Sequence, residues 1–314
     1  MPCSAEPPPT PTPEAAPAPA YAGRFAPSPT GPLHLGSLVA ALASCLEARA
    51  HQGRWLLRME DVDAPRTRPG AARTILAQLE AFGFAWDGEL VWQSQRLDAY
   101  RAALEALLEA GAAYPCACTR REIADSALLA PDGSHRYPGT CRAGLPPGRP
   151  ARAWRCRTGA GQLRWTDAIQ GPQCEEVGQI VGDFVLLRAD GQFAYQLAVV
   201  VDDAWQGVTH VVRGADLLDS TGRQLHLQHL LGAPHPAYAH LPVLTNAAGE
   251  KLSKQTLAAP LDPAAPARAL VHALGLLGQA PPDGLARAAP AEIWAWAEAH
   301  WQLSRVPRQR SIVA

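Results

Sequence analysis

The residues best equipped for chemistry lie between Arg24 and Ser37, in the run Arg-Phe-Ala-Pro-Ser-Pro-Thr-Gly-Pro-Leu-His-Leu-Gly-Ser. Pro29 and Pro32 stiffen this segment, and Gly31 and Gly36 let backbone come close to a ligand. A helix expected from Ser37 would turn its unpaired N–H groups toward an anion, with the imidazole of His34 beside it. This is nucleotide-handling chemistry. A second cluster, Gly249-Glu250-Lys251-Leu252-Ser253-Lys254-Gln255, holds both lysines of the 314-residue chain. Two ammonium groups in one polar loop can clamp a triphosphate, although an isolated Lys-x-x-Lys pair is far more often a solvated one.

A third cluster is built of sulfur. Cys116-Ala117-Cys118 followed by Cys141 supplies three soft ligands for a tetrahedral zinc ion, which would staple a segment too irregular to have much core. By chemistry alone His135 or Cys156 outranks the phenol of Tyr137 as a fourth ligand, since a phenol keeps its proton to high pH. Cys3, Cys45 and Cys174 have no such company and read, like Cys156, as structural thiols. Seven cysteines at irregular spacing do not make a secreted disulfide framework. The net charge of −1 argues neither for nor against a polyanionic partner. From Gly133 to Thr166, however, there are seven arginines (136, 142, 149, 152, 155, 157 and 164) and no acid. Such a patch can bind RNA or can be a solvated surface.

The elements that must position these groups follow from periodicity. Residues 1–20, rich in Pro, Ala and Thr, form a disordered extension. Tyr21 to Ala26 reads as a strand, Ser37 to Gln52 as a helix stopped by Gly53, and Trp55 to Met59 as a second strand ending at Glu60, Asp61 and Asp63. This βαβ unit places loop ends and acids at one sheet edge, where open parallel sheets bind ligands. Asp61 and Asp63 are expected to be helix caps. Helices over Ala71–Phe82 and Gln95–Ala110 follow. Order returns with a strand at Asp183–Arg188, a tight turn at Asp190-Gly191 into a strand at Gln192–Tyr195, and a buried apolar run at Leu197–Trp205. A core strand spans Val208–Val212, and a helix with an acidic N-cap spans Asp219–Leu231. Arg213 thus leaves its strand at the same sheet edge as Glu60. No signal peptide or membrane-spanning run is visible, which favours a cytoplasmic protein, expected to be a monomer.

Arg24 to Gly31 running into His34-Leu35-Gly36, with Lys251-Leu252-Ser253-Lys254 downstream, resembles the two signature loops of the class I glutamyl-tRNA synthetases. The likeness covers residues 21–256 and includes Tyr195-Gln196-Leu197-Ala198-Val199-Val200-Val201-Asp202-Asp203 and Arg213-Gly214-Ala215-Asp216-Leu217. It implies an α/β fold of the class I aminoacyl-tRNA synthetase type: a Rossmann parallel sheet in halves 21–110 and 182–256, a zinc-bearing basic insertion at 111–181 and a helical region at 257–314 without an anticodon-binding domain. Val199 stands where discriminating glutamyl-tRNA synthetases have Asn. The cysteine pattern with Tyr137 resembles that of a truncated paralogous family, which passes glutamate to queuosine in the anticodon of tRNA(Asp).

The resemblance implies activation of L-glutamate by ATP without tRNA, then transfer to that nucleoside. Arg24 and Arg213 should meet the carboxylates of glutamate, Ser28 and Glu60 its ammonium, and Tyr195 should close the pocket. His34, Gly36, Lys251 and Lys254 should hold ATP with its Mg2+, and His34 and Lys254 should act catalytically by stabilising charge on the phosphate oxygens. Cys116, Cys118, Tyr137 and Cys141 should hold one structural zinc. Ser37, where the family has a second histidine, and Gln255 depart from the signatures. Three rivals are a shortened synthetase charging a tRNA 3′ end, a zinc-stapled RNA-binding paralogue without catalysis, and a metabolic nucleotidyltransferase.

Overall fold

A computed structural model describes residues 20–125, 129, 135–252 and 259–314. The expectations for residues 1–19 and for Ser253, Lys254 and Gln255 lie outside the described residues. Strand β1 (Ala22–Phe25) ends just before the prolines at 27 and 29, and helix α1 (Leu35–Ala50) follows. The helix starts before Ser37 because His34 is its N-cap, with Nδ1 accepting the Ser37 N–H at 3.3 Å. Leu38, Val39, Leu42 and Leu46 form its buried face. Strand β2 (Arg54–Met59) pairs parallel with β1, and after α2 (Ala71–Ala81) strand β3 (Val91–Trp92) pairs parallel with β2. The return from α1 is tight. A Cβ at Gly53 would lie 2.5 Å from the Tyr21 carbonyl oxygen, so only glycine lets β2 begin there.

Helix α3 (Leu97–Glu109) turns Tyr100, Leu104 and Leu107 inward. Strand β4 (Ala113–Cys116), helix α4 (Arg120–Ala124) and strand β5 (Ala153–Cys156) open the middle section. The hairpin of β6 (Leu163–Asp167) and β7 (Gly171–Glu175), the short α5 (Val177–Ile180) and strand β8 (Val185–Leu187) complete it. Strands β4, β5 and β8 make a small antiparallel sheet. The chain then alternates through α6 (Tyr195–Trp205), β9 (His210–Gly214), α7 (Thr221–Leu231) and β10 (Ala237–Leu241), with β9 and β10 parallel. The Thr209 N–H donates to Ala22 O at 2.9 Å and sets β9 beside β1. Asp167 lies in register with Tyr238, so the β6–β7 hairpin extends this sheet beyond β10. Strand β11 (Val243–Thr245), helices α8 (Pro266–Leu276) and α9 (Pro290–His300) and strand β12 (Ser311–Val313) finish the chain.

Four local expectations change. Tyr195 opens helix α6 instead of ending a strand, and only a single bridge, Leu187 to Phe193, follows the Asp190-Gly191 turn. Asp219 is not an N-cap: it sits in a 3₁₀ turn over Ala215–Ser220 and pairs with Arg310 at 3.2 Å. Trp205, expected in a buried run, is exposed beneath the Arg96 guanidinium, 3.7 Å from its ring centre. The region 257–314 is not wholly helical, because the β-branched pair Ile312-Val313 joins parallel to Leu244-Thr245. No helix among the described residues is long and apolar enough to cross a membrane.

What joins the first βαβ unit to α6 is a buried set of charges. The Arg58 side chain is wholly buried, with Nη2 2.8 Å from Asp203 and 3.1 Å from Glu60 and Nη1 donating to Gln206 at 2.6 Å. Asp203 also receives Arg24 Nε at 3.3 Å. Its neighbour Asp202 accepts from Arg96 Nε at 2.6 Å, Tyr100 Oη at 2.7 Å and Gln93 Nε2 at 2.8 Å. Removing one charge from such a group leaves its partners buried and unpaired. Asp202→Asn is therefore expected to cost about 3–5 kcal/mol of unfolding free energy, read from urea denaturation. An unchanged midpoint would show that these bonds do not hold α6 to α3 and the turn before it.

Candidate active site and thiol cluster

The carboxyl ends of β1, β2 and β9 and the start of α6 come together at one sheet edge. Arg24 on β1 is buried and, among the described residues, its side chain bonds through Nε alone, to Asp203. Glu60 follows β2, and its N–H donates to Pro27 O at 3.0 Å, which ties the loop carrying Ser28 to the acid. Ser28 is exposed. Burial raises the Glu60 carboxyl above its ordinary range against the opposing pull of Arg58 and Arg24. Burial likewise raises the Tyr195 phenol; Arg213 and Arg24 oppose this, while Glu60 and Asp203 add to it. All four charged groups therefore bear on one hydroxyl. Tyr195 Oη itself accepts from Arg213 Nη1 at 3.4 Å.

Arg213 is held on its other nitrogens. Nε donates to His240 Nε2 at 3.0 Å, and Nη2 donates to Thr221 Oγ1 at 3.0 Å and Leu217 O at 3.3 Å. His240 in turn meets Asp167 through Nδ1 at 2.6 Å. A guanidinium only donates, so His240 Nε2 must be the unprotonated nitrogen and Nδ1–H the donor to Asp167. Burial holds the His240 pKa down to about 4, helped by Arg213 and opposed by Asp167.

The two signature loops meet at Gly36. A Cβ there would come within 3.1 Å of the His34 ring and 3.9 Å of Leu252 O. Leu252 N–H donates to Leu244 O at 2.7 Å, and beyond the loop Leu261 N–H donates to Leu33 O at 2.9 Å. Leu252 and Leu261 are thus tied to Leu244 and Leu33, while Lys254 lies outside the described residues. Lys251 pairs with Asp216 at 2.6 Å. Asp61 binds the N–H and Oγ of Ser94, in a 3₁₀ turn, at 2.8 and 2.7 Å. Asp63 takes Arg66 and Arg188, so an ion pair replaces the expected cap.

Away from this edge, the sulfurs of Cys116, Cys118 and Cys141 lie within 4.8 Å of one another. Cys118 Sγ is 3.6 Å from Cys141 Sγ, and Tyr137 Oη is 3.4 Å from Cys116 Sγ and 3.7 Å from Cys118 Sγ. A tetrahedral ion with sulfur bonds of about 2.3 Å has ligand–ligand edges of about 3.8 Å, so four donors already approach that spacing. His135 and Cys156 are not in the group, although chemistry alone ranked them above the phenol. The fold carries Tyr137 over the three thiols, where Oη also accepts the Cys141 N–H at 2.8 Å. Burial works to raise the Cys116 thiol, but hydrogen bonds with Tyr137 and Arg155 outweigh it and lower the pKa; burial pushes Cys118 up to about 11.

The arginine run does not form one free patch. Arg155 is buried, with Nε on Cys116 Sγ at 3.3 Å and its guanidinium 3.8 Å from the Tyr137 ring centre. Arg142 binds Asp183, and Arg149 binds Glu122. Arg152 is exposed. Sequence reasoning assigned no role to Arg58, Asp202, Asp203, Asp167 or His240. Only the adjacent pair Asp202-Asp203 in an otherwise apolar run, where buried acids need partners, signalled the network.

The chain matches the family described as tRNA synthetases class I (E and Q), catalytic domain, over residues 22–285. It is 69% identical over 289 residues to the glutamyl-Q tRNA(Asp) synthetase of Aromatoleum aromaticum, covering 92% of this chain and 91% of the relative. It is 60% identical over 294 residues to the protein of that name from Dechloromonas aromatica, covering 93% and 98%. Among solved structures, a glutamate tRNA ligase from Elizabethkingia meningosepticum in complex with its amino acid superposes with a TM-score of 0.76 at 26% identity, over 94% of this chain and 67% of that one.

The His240 geometry sets a pH dependence. A folded pKa below the ordinary 6.5 means that folding favours the neutral ring, so this stabilisation is complete above about pH 6.5 and is lost as pH falls toward 4. The span corresponds to about 3 kcal/mol at most. Unfolding free energy measured from pH 7 to 4 should show this slope, and His240→Gln should flatten it; identical slopes would contradict the assignment.

Proposed function

This chain belongs to the class I tRNA synthetases of the E and Q type, and on that premise we propose that it activates L-glutamate with ATP and transfers the glutamyl group to queuosine in the anticodon of tRNA(Asp). The observation that carries this reading is identity of 57–69% to relatives bearing the name glutamyl-Q tRNA(Asp) synthetase, across about nine-tenths of both chains for the first of them. The pocket chemistry supports it. Glutamate presents two carboxylates and one ammonium, and the site offers Arg24 and Arg213 for the former and Glu60 and Ser28 for the latter.

In the first step an oxygen of the glutamate α-carboxylate bonds to the α-phosphorus of ATP, the bond to the bridging oxygen breaks, and pyrophosphate leaves with that electron pair. Arg24 and Arg213 orient the carboxylates, Glu60 holds the ammonium and Tyr195 closes the side. His34, on the rim where Gly36 admits the nucleotide, and Lys254 stabilise negative charge on the phosphate oxygens. Lys251 exchanges Asp216 for the triphosphate, and Mg2+ arrives as part of the ATP substrate. In the second step a hydroxyl of the queuosine ring attacks the acyl carbon, loses its proton and displaces AMP. Activation needs no RNA, because every proposed glutamate contact comes from this chain.

Cys116, Cys118, Tyr137 and Cys141 are proposed to hold one zinc ion. Zinc there would cross-link β4 to the loop before β5, and Arg155 would offset part of the thiolate charge.

Three predictions test these proposals. Pyrophosphate exchange should proceed with glutamate and without RNA, and Glu60→Gln should raise the glutamate KM by roughly 10–100-fold with little change in the ATP KM. Labelled glutamate should enter tRNA(Asp) only when queuosine is present, and Arg152→Glu should lower transfer while sparing exchange; labelling of a tRNA 3′ end would instead indicate a shortened synthetase. For the metal, the purified protein should contain one zinc per chain and Cys118→Ser should lose it. Unchanged zinc content in that variant would remove the site.

A further inference from the structure

Arg24 and Arg213, the two guanidiniums proposed for glutamate, are held in chemically different ways. Arg24 rests directly on a carboxylate, Asp203, which offsets its charge. Arg213 touches no carboxylate among the described residues: its Nε meets an imidazole, and the nearest acid on that line, Asp167, stands on the far side of the ring. Asp167 is itself saturated by N–H donors. It accepts from His240 Nδ1 at 2.6 Å and from the N–H groups of Gln170, Ile169 and His240 at 2.8, 3.0 and 3.1 Å. His240 and Asp167 are both wholly buried as side chains, so no water competes for these bonds.

We infer that His240 is a positioning residue for glutamate recognition, a neutral spacer that fixes the plane of Arg213 while leaving its charge uncompensated for a substrate carboxylate. The physical logic is a division of labour along a relay. Asp167, fixed by the turn between β6 and β7, imposes the Nδ1–H tautomer on His240. The ring then presents an unprotonated Nε2 to Arg213 Nε, and Thr221 Oγ1 and Leu217 O take Nη2. Thr221 Oγ1 also lies 3.4 Å from His240 Nε2 and so braces the ring. Only the Nη1 edge, which meets Tyr195 Oη, is left at the pocket. A carboxylate in place of the ring would orient the guanidinium equally well but would neutralise it before substrate arrived.

The inference rests on the reading of Arg213 as a glutamate contact, and the experiment separates the two. Glutamate binding by calorimetry and glutamate and ATP KM values by pyrophosphate exchange, with tRNA(Asp) absent and present, should be compared for His240→Gln, His240→Leu, His240→Glu and Arg213→Ala. Gln can still accept from Arg213 and should keep glutamate affinity within about fivefold. Leu, which leaves Arg213 Nε unpaired, and Glu, which neutralises Arg213, should each weaken it by roughly 30-fold or more, with the ATP KM within about twofold. Nitrogen-15 spectra should show a His240 signal, absent from the Gln variant, with protonated Nδ1 and bare Nε2 at neutral pH. If Arg213→Ala leaves glutamate affinity unchanged, the pocket reading fails. If Arg213→Ala matters but Gln, Leu and Glu lose glutamate and ATP affinity equally, or the spectra show Nε2–H, the spacer role is overturned.

Discussion

Three guanidiniums and three carboxylates, Arg24, Arg58 and Arg96 with Glu60, Asp202 and Asp203, share one largely buried network, and the rest of the catalytic architecture depends on its neutrality. Moving an ion out of water costs several kcal/mol even after relaxation, so six charges are tolerable only if each is matched and hydrogen-bonded. Matching them forces four segments together: β1 brings Arg24, β2 brings Arg58 with Glu60 behind it, the turn before α3 brings Arg96, and α6 brings both aspartates. A helix packed by apolar contacts alone could slide along the sheet. Adjacent aspartates bonded to opposite sides of the network fix it in rotation and height, and so place Tyr195 at its first turn.

The same arrangement sets the electrostatics of the pocket. Arg24 reaches it already compensated by Asp203, and Arg213 reaches it through neutral His240. One positive group is thus a shaped hydrogen-bond donor and the other a nearly full charge, a combination suited to a dicarboxylate that also carries an ammonium. Glu60 lies within the same field. Its carboxyl is raised by burial yet restrained by two arginines, a balance that a bound ammonium would tip toward the ionised form.

The thiol cluster answers a different need. The stretch between β4 and β5 contributes one small apolar cluster, around Tyr114, Tyr137 and the cysteines. Arg155 couples this cluster to the body of the protein by bonding Cys116 Sγ with one nitrogen and Asp183 O with another. Residues of a run that looks like a surface patch in one dimension are therefore spent partly on the inside: Arg155 is buried, Arg142 serves Asp183, and Arg152 stays outside.

By itself the sequence determined the βαβ opening, the paired signature loops and the three thiols, because each depends on local spacing or on a residue type that chemistry restricts; the five residues proposed for glutamate are implied by the family resemblance. Gly36 and His34 were legible for that reason, as was Glu60 at the end of an apolar strand. Tertiary structure alone decided the partners. Nothing local tells Asp167 that His240 will face it 73 residues later, or that Asp202 and Asp203 in an apolar run will divide three arginines between them. It also set Tyr137, rather than His135 or Cys156, beside the three thiols, since the backbone path and not the pKa of a side chain determines what lies there. Tyr195 reads as a strand end but opens a helix: alternation after the Asp190-Gly191 turn favours a strand, but the aspartates seven and eight positions on need helical geometry to reach their arginines. Long-range charge pairing carries no periodicity, and it is what turns these local elements into one site.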